Sequence, residues 1–457
     1  MLSGMKALRN GGIFLTAIVL LSFLGISQNK PLLAQDVAQE SMLDLKNFKP
    51  VADAKTDSVG AFTDALAACR KSCSLVIPPG TYALSRGIVI ENKSHIDLHA
   101  VGVTLLYTGA DTNARLLEIR SSNYVSVYGL TLRSAHPHTG TAVSLRRPHD
   151  ADPGQTTQYN SLRNVEIFGF NVGLEMGVAG EGQVDQGLFS YVGIHDCNTG
   201  VKQDNPQTEV VRYDHVVITA GPTNAVYFDM RSGSADLIEP VTGAGGLNSE
   251  NVVHLRLGGT LRNVSLFNPH FEVGTEKGSV AIQWLASSAQ VNVYGGVFSK
   301  YMTEAGTMMD LSASGTGGMI SFYNTVVWSR GPASINFGPE NHTFFSRNTY
   351  IGWTNISFDG ITAASSSRIG PVFAGTGNAN DVRIFGQVQG QNPHFDAVGR
   401  DKDVGLDFNV QGAGNLNFNG LARFAKPAVL PQGTPAGAVA RVPADRFGRT
   451  QTISMCA

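Results

Sequence analysis

Charge is scarce in this chain. Asp, Glu, Lys and Arg make up 15% of its 457 residues, against about 25% in an average globular protein. The little there is nearly cancels, to a formal −2. That leaves no basic face for a nucleic-acid partner. Long apolar runs are also lacking. The N-terminal one, Ile13 to Leu24, is too short to span a bilayer comfortably. No cysteine follows it, which argues against a lipoprotein anchor. Cysteine occurs only at Cys69, Cys73, Cys197 and Cys456, and no matching Cys or His pair sits at zinc spacing.

Other features are present. Lys6 and Arg9 precede the apolar run, and Leu32-Leu33-Ala34 offers a cleavage site before Gln35. This is the pattern of a signal peptide over 1–34, with a secreted or periplasmic mature protein, and an uncleaved anchor as the rival reading. In that compartment Cys69 and Cys73 could close a small disulfide loop, although four cysteines allow three pairings. Glycine numbers 52, roughly 11% against a usual ~7%, which suits a fold with many tight turns.

The apolar pattern has period two. Val125 and Val127, Val165 and Ile167, Val192 and Ile194, Val216 and Ile218, Val264 and Leu266, and Val291 and Val293 each read as a strand with one buried face. From Val165 the pairs recur at spacings of 27, 24, 48 and 27, the 48 fitting two coils. Leu162-Arg163-Asn164-Val165 returns as Leu261-Arg262-Asn263-Val264. A repeat of this length indicates a solenoid. Its first coil needs a cap, which a helix near 58–70 would supply. Residues 146–160 and 240–250 read as loops leaving the coils.

The string Val76-Ile77-Pro78-Pro79-Gly80-Thr81-Tyr82, preceded by Asp53-Ala54-Lys55-Thr56-Asp57 and the helix-like Ala61 to Ala68, resembles the opening of the pectate-lyase-like superfamily. The resemblance implies an all-β fold, a right-handed parallel β-helix over 45–390, and action on polysaccharides. Asp381 to Gly386, Val404 to Val410 and Gly412-Ala413-Gly414 resemble the small β modules of phage tailspike-like proteins. That implies a β module over 391–424 and a possible homotrimer through 380–420. Residues 425–457, rich in Pro, Ala and Gly, read as a tail. The aspartate-rich and Gly-His-Gly strings of polygalacturonase-type hydrolases do not appear, so no catalytic set carries over.

Candidate site residues therefore come from register. Seven residues before Val165, Val192 and Val216 stand Gln158, Asp185 and Glu209. Stacked on adjacent coils, the two carboxylates would repel and one pKa would rise, poising an acid. They could equally hold Ca2+ or form a solvated polar ladder; no other cofactor or metal is indicated. In Asn268-Pro269-His270-Phe271-Glu272-Val273, His270 and Glu272 share the outward face and could act as an acid–base pair or be structural. Asp214 and His215 form a third candidate, with His215 in a turn slot that Asn takes elsewhere. Tyr213, Trp284 and Tyr294 are candidate sugar-binding rings, each with a core or wall role as the alternative. Two functions fit: a hydrolase or lyase cleaving glycosidic bonds, or a non-catalytic, possibly trimeric glycan-binding or surface protein.

Overall fold

The computed structural model describes residues 41–336, with interruptions at 71, 152–155, 244–248, 275–277, 287–288, 302–304 and 313–317. Beyond these it describes little more than separate strands as far as Ile453. The chain divides into two compact units, 1–378 and 379–457.

In the first unit all pairings among the described strands are parallel, each strand bonding to the one a coil further on. Three ladders result, named here in the order one coil crosses them. Sheet I stacks Leu162, Phe189, Tyr213, Leu237, Leu266, Val293 and Phe322. Sheet II stacks Ile167, Ile194, Ile218, Thr242, Phe271, Phe298 and Val327. Sheet III stacks Leu174, Val201, Phe228, Leu255, Ile282, Met309 and Ile335. These residues are buried and, Thr242 apart, form one continuous apolar core. The architecture is a parallel β-helix.

The inward valines behave as their alternation demands: Val165, Val192, Val216, Val264 and Val291 are all buried. Their grouping into one column is corrected. Val264 pairs with Ala235, which pairs with Val211, so it belongs to sheet I. Val165, Val192 and Val216 line sheet II. True coil steps along sheet I are 27, 24, 24, 29, 27 and 29 residues. The Leu-Arg-Asn-Val echo thus repeats a local string at a different place in the coil: 162–165 crosses the I–II corner, whereas 261–264 lies in the strand entering sheet I. Coil length varies because the turns vary, and the spacing 48 arose from changing column.

One corner recurs from coil to coil. Between sheets I and II the chain turns through a left-handed residue: Gly102, Gly129, Asn164, Tyr191, His215, Glu239, Asn268 and Gly295, each with φ between 47° and 78°, Gly296 being left-handed as well and the coil of Gly102 carrying two extra residues. His215 does occupy the slot of Asn164. The matching asparagine further on is Asn268, not Asn263. Side chains at this φ cost energy, so the neighbouring ladders must hold them there.

The N-terminal helix α1 spans Val59–Ala68. Its Val59, Phe62, Ala65 and Leu66 recur at helical spacing, are buried, and share the core with the first coils. Phe62 packs edge-on against Tyr82, ring centroids 5.6 Å apart. Cys69 and Cys73 are disulfide-bonded just after it, and Cys197 is free and buried. In the second unit Asn380–Phe385 pairs antiparallel with His394–Gly399, and Ala440–Arg441 with Thr452–Ile453. The leader 1–34, the Gly-x-Gly string and most of the tail lie outside the described residues.

Candidate functional site

Sheet III carries a column of charge on its outer face. Register stacks Glu118, Ser144, Glu175, Lys202, Asp229 and Arg256 on successive coils. Glu118, Glu175, Asp229 and Arg256 each stand between two apolar residues, as in Leu117-Glu118-Ile119 and Phe228-Asp229-Met230. Strand alternation sends those neighbours into the core and the charge outward. That pattern was legible in the sequence and points to a set the carboxylate search passed over.

The carboxylates lie beneath the cations. Glu118 and Glu175 side chains are 7% exposed and Asp229 only 2%, whereas Arg120, Lys202 and Arg231 are 31%, 25% and 43% exposed. Arg120 grips Glu118 through two nitrogens, at 3.2 and 2.9 Å. Glu175 accepts from Arg115 Nε at 3.0 Å and Ser144 Oγ at 2.8 Å, with Lys202 Nζ 3.8 Å away. Arg231 donates to Asp229 Oδ2 from Nε at 2.9 Å and Nη2 at 2.8 Å. Its Nη1 lies 3.7 Å from Asp204 Oδ2, and Lys202 reaches the same oxygen at 3.6 Å. Glu118 and Asp229 in turn raise the proton affinity of Arg120 and Arg231. Asp229 Oδ1 is buried without a hydrogen-bond partner.

The turn leaving sheet III carries the register-based candidates. Gln158 and Asp185 pair in a short parallel ladder, as expected. Asp185 Oδ1 accepts the Glu209 backbone N–H at 2.7 Å, and Gln183 donates to Oδ2. Burial pushes the Asp185 carboxyl above its ordinary value, against the pull of those hydrogen bonds; the Glu209 charge adds to the rise. The Glu209 carboxylate is paired with Arg262, two coils on. Asn205, next to Asp204, donates to the carbonyls of Val178, Glu181 and Gly182 at 3.0–3.1 Å. It ties the turn leading to Asp185 to the end of the strand bearing Asp204.

The other candidates do not join this cluster. Asp214 and His215 sit at the sheet I–II corner: His215 Nδ1 lies 2.8 Å from Asp214 Oδ1, and Nε2 lies 2.7 Å from Glu239 Oε2, a partner the sequence did not suggest. His270 and Glu272 do share the outer face of sheet II, flanking buried Phe271, two coils further on. On the same sheet His195 bridges Thr219 Oγ1 at 2.8 Å and Glu166 Oε2 at 2.9 Å.

Two sugar-binding assignments are corrected. Tyr213 and Trp284 are fully buried. Tyr213 points inward on sheet I, donates its hydroxyl to Gln203 at 3.2 Å and stacks on Phe189. Trp284 donates its indole N–H to the Ala286 carbonyl at 3.3 Å. Tyr294 is exposed, but its ring lies between Phe267 and Tyr323, with centroids 5.2 and 5.1 Å away, so both faces are covered. The Ca2+ expectation finds no fit at Asp185, whose two oxygens are engaged by N–H donors. Among the described residues no three His, Cys, Asp or Glu side chains come together as a metal-holding group.

Three parallel ladders closed around one core, with tight corners between sheets I and II and variable turns elsewhere, define a parallel β-helix. No family model matches the chain, and no curated protein matches it. Solved structures similar to it include the ORF18 protein of Geobacillus virus E2, at 13% identity over all of this chain and 90% of that one, TM-score 0.39. The enzymatically active domain of bacteriophage CBA120 tailspike protein 2 is 10% identical over 75% of this chain, TM-score 0.35; this chain spans 55% of its length. A mannuronan C-5 epimerase A-module from Azotobacter vinelandii, AlgE6, is 12% identical over 72% of this chain and 100% of that one, TM-score 0.37. The β-helix itself rests on the strand pairings above.

Proposed function

We propose that this protein is a polysaccharide-active β-helix enzyme that works on glycosidic bonds at the outer face of sheet III and the turns leaving it. The observation that supports this most is the concentration of buried carboxylates under outward cations on consecutive coils. Asp185, whose burial favours its protonated form, is suited to general acid work. Asp204, set between Lys202 and Arg231, is suited to the partner carboxylate of a hydrolase. Arg231 and Lys202 would carry the carboxylate of an acidic sugar if the reaction were elimination. The names of the similar structures, a tailspike's enzymatically active domain and an epimerase, are in keeping with this reading. We further propose export after cleavage near Gln35, and a trimer formed through 380–420.

The test is a reducing-end assay run alongside absorbance at 235 nm over plant, algal and bacterial polysaccharides. New ends without absorbance mean hydrolysis, and new absorbance means elimination. Asp185→Asn and Asp204→Asn should each lower turnover by about 10²-fold or more while leaving the melting temperature close to wild type. Full activity in both would remove the assignment. A second reading, glycan binding without cleavage, is favoured by the saturated hydrogen bonding of Asp185 and the ion pair of Glu209. Retention on a polysaccharide with no new ends would select it.

A further inference from the structure

The aromatic side chains of the outer surface are arranged so that most cannot offer a face to a ligand. A ring in a ladder is covered above and below by the rings of adjacent coils. Tyr124 lies between His95 and Tyr159, at centroid distances of 4.6 and 4.8 Å. Phe168 lies between His195 at 4.7 Å and the Arg133 guanidinium at 4.7 Å. Only a ring at the end of a ladder keeps a face open.

Tyr191 is such a ring. It stacks on His215 above it, centroids 4.8 Å apart, and is nevertheless 58% exposed, against 39% for the sandwiched Tyr294. Below it the I–II corner column steps down through Asn164 to Gly129 and Gly102. Both glycines have positive φ, and a Cβ on Gly129 would lie 2.8 Å from Val101 Cγ2, so the corner carries no side chain of its own there and Val101 lies against it. Tyr128 and Val101, 40% and 61% exposed, flank the bare corner. The result is a notch with one aromatic wall, an exposed amide at Asn164 and an apolar floor.

We propose that this notch is a carbohydrate-binding subsite, separate from sheet III, that takes one pyranose ring of a glycan. It rests on the polysaccharide reading above. The apolar C–H face of a pyranose is electropositive and matches the negative face of an aromatic ring. Asn164 stands beneath the base of Tyr191, so a sugar stacked on the projecting part of the ring lies about one coil spacing away, ~4.8 Å, just outward of the Asn164 amide. There the Asn164 amide can both donate to and accept from its hydroxyls. The subsite would anchor a polymer on the flank while another stretch reaches sheet III.

The experiment is affinity electrophoresis of the full chain through gels containing xylan, dextran, alginate or polygalacturonate. For a polymer that retards wild type, Tyr191→Ala should weaken retention about three- to tenfold, and Tyr191→Phe should keep it. Asn164→Gly, which fits the positive φ while removing the amide, should also weaken it. Tyr294→Ala, which removes another exposed ring but one with no open face in the native ladder, should bind as wild type. Wild-type retention in both Tyr191→Ala and Asn164→Gly overturns the subsite and leaves the polysaccharide reading standing. Failure of all four polymers to retard wild type overturns both.

Discussion

The outer faces of sheets III and I solve the same geometric problem with different chemistry. Both stack side chains at the coil spacing. On sheet III the column runs Glu175, Lys202, Asp229, Arg256, so sign alternates from coil to coil. On sheet I it runs Phe267, Tyr294, Tyr323, so like stands on like. Charges of one sign at that spacing repel, whereas rings attract when offset. A charged column therefore has to alternate and an aromatic one can repeat. Alternation leaves carboxylates buried beneath cations. Repetition covers both faces of the rings inside a ladder.

The comparison is broken most severely by removing a cation from sheet III. Arg231→Ala leaves Asp229, 2% exposed, without its two-nitrogen partner. A buried charge stripped of its partner costs about 3–5 kcal/mol, which should appear as a large fall in melting temperature. Arg231→Lys should recover only part of it, because one ammonium cannot reproduce the fork. Loss of less than about 1 kcal/mol would show that the carboxylate is better solvated than its burial indicates.

A second test sets the outer charges against an inner one. His254 is fully buried between sheets, Nδ1 2.7 Å from Thr242 Oγ1 and Nε2 without a hydrogen-bond partner. Burial, with the Lys300 charge adding to it, pushes the imidazole down to about 3. The folded chain resists a proton that the unfolded chain accepts below about 6.5. Stability should therefore be intact above pH 6.5 and be lost progressively as pH falls toward 3, by roughly 3 kcal/mol at pH 4. Denaturant melts from pH 7 to 4 would show this slope, and His254→Phe should flatten it. An unchanged slope would assign acid sensitivity to the outer carboxylates.

The smallest effect belongs to the ring ladder. Tyr294→Ala removes two stacked contacts from a partly exposed site and should cost about 1–2 kcal/mol. Tyr294→Phe should cost almost nothing. The same pair of substitutions on sheet III would not be so forgiving.

Much of the fold was legible in local alternation. It placed Val165, Val192 and Val216 inside and paired Gln158 with Asp185. It failed where it counted residues across turns of unequal length, which moved Val264 into the wrong column. The site was less legible because exposure of a residue depends on the coils above and below it. Tyr213 and Trp284 look like sugar platforms in isolation, and three-dimensional register turns them inward. Glu239, Arg262 and Thr219 are partners across 24, 53 and 24 residues of chain, separations that no local pattern encodes.

The unequal turns carry a further meaning for altering this molecule. The connection from sheet III to sheet I takes 204–210 in one coil and 147–160 in another, and in the coil of Val226–Ile238 the strand passes through with no break. Ladder pairing resumes each time. The I–II corner keeps one length from Gly129 onward, with two further residues only in the coil of Gly102, and a single-residue insertion there would turn every following side chain of sheet II to the opposite face. The solenoid thus has one edge open to grafting and one edge closed to it. A foreign loop spliced between the exposed His149 and Asp150 should leave the core untouched, while a single alanine added beside Asn268 should dismantle the coils above it.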